Sequence, residues 1–235
     1  HDYPEFECAD KFNLNMVHDH IAQLHRFNIL ALLYLQVSGD CFIPYAEEKF
    51  PDAIARDSAG HLKPTWKNCC FVNPSAGTSF HNHMQQQIRK FFAEFPEIDG
   101  VFLDQLCYQA VDYAHQDGRT AVNCREASLF GDSYLENLEL ISKILHSQGK
   151  YLWANGPFNL DVAKNIDGMM CEGTSTLARS FQYLACGSKG LLIHSYAESA
   201  KDVEYMFRRS LVCGGSWSVS GTAAARRPPE FSDQI

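Results

Sequence analysis

Short apolar runs alternate along this chain with amphipathic stretches of helical period. The first amphipathic stretch spans 16–27, where Val17, Ile21 and Leu24 recur at helical spacing. It feeds 29–37, an apolar run of strand length that stops at Ser38-Gly39-Asp40. A second helix is expected over 79–95, with Met84, Ile88, Phe91 and Phe92 on its buried stripe. Gly100 to Leu103 is then a continuous apolar run, as a parallel strand covered on both faces requires, and it delivers Asp104 where it stops. The rhythm continues with a helix over 134–147 closed by Gln148-Gly149, the glycine suiting a helix C-terminus. A strand over 150–154 follows and ends at Asn155, then a short helix over 160–165. A strand over 166–171 ends at Glu172, a helix covers 176–186, and a strand over 190–193 ends at His194. A helix over 200–212 and a strand over 214–219 complete the pattern. Two polar stretches, 41–78 and 105–130, interrupt it and read as long loops, a length that is uncommon without a function.

Strand-helix alternation repeated about six times means a parallel sheet with covering helices. An open doubly wound sheet is an alternative, but no glycine-rich phosphate fingerprint follows any strand. Polar residues after nearly every apolar run (Asp40, Asp104, Asn155, Glu172 and His194) suit a (β/α)8 TIM barrel, whose site gathers residues from several strand ends. Six units are visible where eight are needed, so the expectation is a barrel lacking its first one or two β/α units, or with one hidden in 1–12. Residues 1–221 form this domain. The segment 222–235, rich in Ala, Arg and Pro and without periodicity, reads as a disordered or foreign tail.

Composition narrows the partners. The 235 residues are 46% hydrophobic and 20% charged, ordinary for one globular domain with a sizeable core. A net charge of -8 argues against nucleic acid and against an acidic membrane surface, both of which reward basic proteins. No apolar run approaches the roughly 18 residues of a membrane helix. The chain opens on His1 without a signal-peptide pattern and reads as a trimmed fragment, so the N-terminus gives no localisation. Nine cysteines, an odd number without a CxxC pair, fit neither a disulfide framework nor a zinc ribbon, and reduced, intracellular thiols are expected.

The motif-bearing block is Asn73-Pro74 ahead of a helix, followed by Pro96-Glu97-Ile98-Asp99-Gly100-Val101-Phe102-Leu103-Asp104. It resembles the arrangement in barrel glycoside hydrolases, in the style of the α-galactosidase and α-glucosidase clan and of uncharacterised putative glycosidases related to it. The resemblance covers 29–219 in architecture and only 73–104 in motif. It implies a nucleophilic Asp ending the fourth strand and an acid/base carboxylate ending the sixth. With Asp104 counted on strand four, Glu172 takes the second place, a departure from the Asp usual there. Other barrel types fit worse. The chitinase type would need a Glu where Leu106 stands, the amylase type a Glu where Asn155 stands, and the cellulase-like type Glu at both places where Gln105 and His194 stand.

Two carboxyl groups are what glycosidic cleavage demands, one to protonate the leaving oxygen and one to attack the anomeric carbon or activate water. Asp104 and Glu172 are therefore the expected pair, in a retaining hydrolase of an α-linked sugar that needs no cofactor and no metal. Asp40, Trp66, Tyr108, Asn155 and His194 are expected to line the carbohydrate site. Bland roles compete at each position: a cap or rim salt bridge for the carboxylates, local packing for the aromatics, a core position for His194. Two further classes stay open. One is a carbohydrate-binding barrel without catalysis. The other is a metal-dependent barrel hydrolase using His18-Asp19-His20 or His81-Asn82-His83, although both motifs fall in helical segments, where residues i and i+2 diverge.

Overall fold

Six of the apolar runs pair as parallel strands. The computed structural model describes residues 13–37, 39–65, 68–106, 110–156, 160–172, 188–196 and 200–220. Within them the chain runs α1 (Leu14–Arg26), β1 (Leu32–Gln36), β2 (Asp40–Phe42), α2 (Ile43–Lys49), β3 (Cys69–Phe71), α3 (Ser79–Glu94), β4 (Gly100–Asp104), β5 (Val111–Asp112), β6 (Thr120–Val122) and β7 (Arg125–Leu129). It continues through α4 (Phe130–Ser133), α5 (Leu135–His146), β8 (Tyr151–Asn155), α6 (Leu160–Asn165), β9 (Gly168–Glu172), β10 (Gly190–Tyr196), α7 (Ala200–Cys213) and β11 (Ser216–Ser220). The helix expected over 176–186, the tail 222–235, Trp66 and Tyr108 lie outside the described residues.

The main sheet has the order β1-β4-β8-β9-β10-β11, parallel at every pairing. The order never reverses, unlike that of a doubly wound sheet, so right-handed crossovers place the connecting helices on one face. There α5 packs beside both α3 and α6. Strand alternation sends Val101, Leu103, Leu152, Ala154, Met169 and Ile193 into this layer, where they share a core with Ile88, Leu138 and Ile141. The opposite face carries the alternate positions, among them Tyr34, Gln36, Phe102, Asp104, Trp153, Asn155 and His194.

That second face is filled low down by one indole. A Cβ built on Gly168 would fall 2.2 Å from Trp153 Cε2, and one on Gly190 would fall 2.9 Å from its Cζ2. The two glycines, at the starts of β9 and β10, leave the space in which Trp153 lies across both strands.

One fastening device occurs twice at the N-terminal ends of the strands. After α1, Asn28 takes a left-handed φ of 55°, Asn28 N–H bonds His25 O, and Ile29 N–H bonds Leu24 O, a Schellman ending. After α5, Gly149 takes φ 69° and the same two bonds run from Gly149 to His146 and from Lys150 to Leu145. In the first copy His25 Nε2 (2.8 Å) and Ala31 N–H (2.7 Å) donate to Asp99 Oδ2, just ahead of β4. In the second, His146 Nε2 (2.9 Å) and Leu152 N–H (2.8 Å) donate to Asp167 Oδ2, just ahead of β9. Asp99-Gly100 thus ties β4 to α1 and the entry of β1, and Asp167-Gly168 ties β9 to α5 and β8.

Three expectations need correcting. The stretch 41–78 is not loop throughout: β2 and β3 pair antiparallel within it, and α2 lies between them. Asp40 opens β2 instead of closing the first strand, because β1 stops at Gln36 and Gly39 turns the chain with φ 86°. The stretch 105–130 holds a three-stranded antiparallel sheet, β5-β7-β6. Its β6–β7 turn has positive φ at both Asn123 and Cys124, the two-residue hairpin geometry usually announced by Asn-Gly.

Candidate functional site

Asp104 closes β4, and its carboxylate receives one donor on each oxygen. Asn155 Nδ2, at the end of β8, donates to Oδ1 at 2.6 Å, and the Tyr34 hydroxyl of β1 donates to Oδ2 at 2.7 Å. Register explains the convergence: Tyr34 pairs with Phe102 and Gln36 with Asp104, so alternation puts Tyr34, Gln36 and Asp104 on one face. Leu103 pairs with Ala154, which carries Asn155 to the same level. The partners differ in exposure, Tyr34 being 59% exposed and Asn155 buried, so the carboxylate is anchored from inside and touched from the solvent side. Directly after it Gln105 adopts φ 61°, rare for a residue with a side chain. That turn lets Leu106 N–H bond Asn155 O at 3.2 Å.

The other expected residues divide. Asp40 is tied to this rim, since Gln36 Nε2 donates to its Oδ2 at 3.1 Å. His194 lies inside β10, which continues to Tyr196, and not at a strand end as expected. It faces the same side as Asp104 and hydrogen-bonds Ser218 Oγ of β11 at 2.6 Å through Nδ1. Glu172 is the last residue of β9, paired with His194, and so occupies that face by register; its side chain lies outside the described residues. The Asp104 and Glu172 strands are separated by β8 alone.

A second polar network ties the two polar stretches together. Asp112 is fully buried and accepts four hydrogen bonds, from Arg56 N–H (3.1 Å), Ala114 N–H (2.9 Å), Asn73 Nδ2 (2.9 Å) and His115 Nδ1 (2.5 Å). Asn73 Nδ2 also reaches Ser128 Oγ at 3.0 Å, and His115 Nε2 donates to the Asp52 carbonyl at 2.7 Å. Both His115 nitrogens face acceptors, a demand that only the doubly protonated ring meets. Burial alone would raise the Asp112 carboxyl, but the bonds from His115, Asn73 and the two amides outweigh it and hold it below the usual carboxylate range. The hydrogen bond to Asp112, against burial, raises His115 above its ordinary value. The network joins both polar stretches, and Asn73 of the motif block belongs to it.

Sequence reasoning passed over Tyr34, Gln36, Trp153 and Ser218. Tyr34 and Trp153 sit inside apolar runs, where alternation alone marks them as facing away from the helix layer. The His18/His20 and His81/His83 pairs lie in α1 and α3, as expected. Among the described residues no three His, Cys, Asp or Glu side chains gather so as to hold a metal ion, and no helix is long and apolar enough to cross a membrane.

No protein-family model matches the sequence, and no curated protein matches it. Among solved structures, the chain is similar to that of a noncanonic maltogenic alpha-amylase, AmyB, from Thermotoga neapolitana, at 13% identity and a TM-score of 0.51. The match covers 88% of this chain and 50% of that one, so the chain spans about half the length of the structure it matches. At this identity the likeness is one of fold.

Proposed function

We propose that the protein is a glycoside hydrolase that cleaves an α-linked O-glycosidic bond by a retaining, two-carboxylate mechanism. The observation that carries the reading is the Asp104 carboxylate, oriented by Tyr34 and Asn155 at the carboxyl end of a parallel sheet. Such ends are where parallel α/β proteins place their chemistry. Asp104 attacks the anomeric carbon, and Glu172 protonates the leaving oxygen and then activates the water that releases the sugar. Asp40, Trp66, Tyr108, Asn155 and His194 line the sugar subsite. Strand spacing puts the two Cα atoms roughly 12 Å apart on a flat sheet, two strands across and two residues along. The proposed mechanism requires the sheet to curve toward this face, as a barrel arc does, so that the carboxyl groups approach the roughly 5–5.5 Å of a retaining pair. The solved neighbour's name agrees with glycosidase chemistry. Asn155, however, stands where the amylase type would carry Glu, so amylase specificity is not carried over.

The same reading takes the sheet as an arc of a (β/α)8 barrel without its first one or two units. Six strands advance in one direction, and an apolar groove of about 440 Å³ lies between α1 and β1, lined by Met16, Val17, Ile21, Leu24 and Leu33. Amide exchange should then be faster in β1 than in β8, and equal protection would mean that the arc is closed.

Activity on a panel of activated aryl α-glycosides tests the chemistry. Asp104→Asn should abolish turnover, while Glu172→Ala should retain activity on activated leaving groups and recover with azide. Tyr34→Phe removes one hydrogen bond to the carboxylate, worth about 1.5–3 kcal/mol, and should slow turnover about 10- to 150-fold. Full activity in Asp104→Asn would end the proposal.

A further inference from the structure

The β2–β3 ladder places two thiols directly opposite each other. Cys41 and Cys70 are Cα partners across the antiparallel pair, so their side chains leave the same face. The flanking bonds, Val72 N–H to Gly39 O at 2.7 Å and Ile43 N–H to Asn68 O at 2.9 Å, mark 39/72 and 43/68 as hydrogen-bonded pairs. Alternation then makes 41/70 one as well, with a Cα separation of about 5.5 Å. Bridged cysteines have Cα atoms about 4.4–6.8 Å apart, a range this pair meets, and Cβ atoms about 3.5–4.5 Å apart, so closure draws the two strands together locally by about 1 Å. Gly39 keeps the strands at this distance, since a Cβ there would fall 2.1 Å from the Val72 carbonyl oxygen. Cys69, one position along, leaves the opposite face and is not part of the pair.

We propose that Cys41 and Cys70 form a redox modification site, a dithiol that a low-molecular-weight disulfide converts to a cross-strand disulfide. Cys41 is half-buried and Cys70 fully buried, which sets the order of events. The Cys41 thiolate attacks one sulfur of the oxidant, whose S–S bond breaks to release one thiol. Cys70 then gives up its proton to solvent and attacks Cys41 Sγ, breaking the mixed disulfide and releasing the second thiol. Two protein thiols are oxidised and one small disulfide is reduced. Burial chiefly, with the neighbouring thiols and Asp40, pushes Cys41 up to about 12, and burial pushes Cys70 up to about 11. The folded dithiol is therefore slow to react at neutral pH, and its exchange accelerates about tenfold per pH unit. Once closed, the bond staples the polar stretch 42–69, whose base at Asp40 meets the Asp104 rim through Gln36. The sequence argued against a disulfide framework, and this is one local pair, recognisable only once β2 and β3 are seen to align.

The test uses the full chain, purified reduced, then incubated at pH 8.5 with oxidised glutathione and mapped by peptide mass. A Cys41–Cys70 linked peptide pair is expected, with a loss of about 2 Da and a rise in Tm of about 5–10 °C reversed by reductant. Cys41→Ser and Cys70→Ser should each lose both the link and the rise. If either variant fails to fold, the wild-type map decides alone. Glutathione retained on Cys41 with Cys70 still a thiol, linkage to other cysteines, or an unchanged Tm would each overturn the proposal.

Discussion

Asp112→Ala should be among the most damaging single changes in the protein, although Asp112 touches no expected catalytic group. The substitution leaves two backbone amides, the Asn73 amide and the His115 imidazolium without their shared acceptor in a fully buried place. Breaking a buried pair in this way costs about 3–5 kcal/mol. For a chain of this length that lowers Tm by about 6–20 °C. The pH dependence separates this account from simple loss of packing. Because the folded pKa of His115 is raised, its stabilisation is complete below the unfolded value of about 6.5 and is lost as pH rises through the folded value. Because Asp112 is depressed, its own stabilisation is present above about 3.9 and lost as pH falls through its folded value. Wild-type stability should therefore be highest between those limits and decline above pH 6.5 by up to about 1.4 kcal/mol per unit. In Asp112→Asn the new amide donates to Nδ1 of a neutral His115, whose Nε2–H still reaches Asp52, so the alkaline decline should disappear. Urea melts of the three proteins from pH 5 to 9 measure this. A flat wild-type profile, or the same decline in Asp112→Asn, would refute the charged-histidine account.

Two further predictions concern the sheet. Gly168→Ala should displace the Trp153 indole, cost about 1–3 kcal/mol and shift tryptophan emission, with Trp153→Leu in the same chain recovering stability. Unchanged emission and Tm would mean that the indole does not lie across β9. Asp99→Ala and Asp167→Ala should each cost about 1–2 kcal/mol in chemical denaturation, since each removes the same acceptor from one backbone amide and one histidine. Burial would raise the Asp99 carboxyl, but the Ala31 amide and His25 hold it below its usual range. Its contribution is present above about 3.9 and lost as pH falls through the folded value, so the deficit of Asp99→Ala should shrink in acid.

The parallel sheet was legible because each strand and helix of the βα rhythm carries its own local signal. Gly100 to Leu103, the stripe of α3 and Gly149 at the α5 terminus are decided within a few residues, and the structure follows them closely. What escaped depends on pairing between distant segments. β2 and β3 are three residues each and bury only as a pair, so neither stands out alone. The β6–β7 hairpin turns on Asn-Cys where Asn-Gly would have announced it. Asp112 and His115 were visible in a polar stretch, but nothing local says that Asn73 and Asp52 meet them. At the candidate site, Asp104 was legible from its place after an apolar run. Tyr34, its partner, was hidden in the middle of one.

The motif block that carried the family resemblance contains three carboxylates, Glu97, Asp99 and Asp104, and the fold gives the two aspartates opposite duties. Asp99 lies just before β4 and is consumed by structure, binding the amide of the neighbouring chain segment and a helix-terminal histidine. Asp104 lies at the far end of the same strand, where among the described residues its oxygens meet side chains alone, Asn155 and Tyr34. The difference follows from direction. Parallel strands enter the sheet beside the ends of the preceding helices, where backbone donors and C-terminal histidines need acceptors, and they leave it where the chain turns away. Asp167 repeats the structural duty ahead of β9, and Glu172 occupies the outgoing end of that strand, as Asp104 does in β4. An Asp-Gly ahead of a strand is therefore better read as a fastener than as chemistry, and the resemblance draws its functional weight from the carboxylate at the strand's other end.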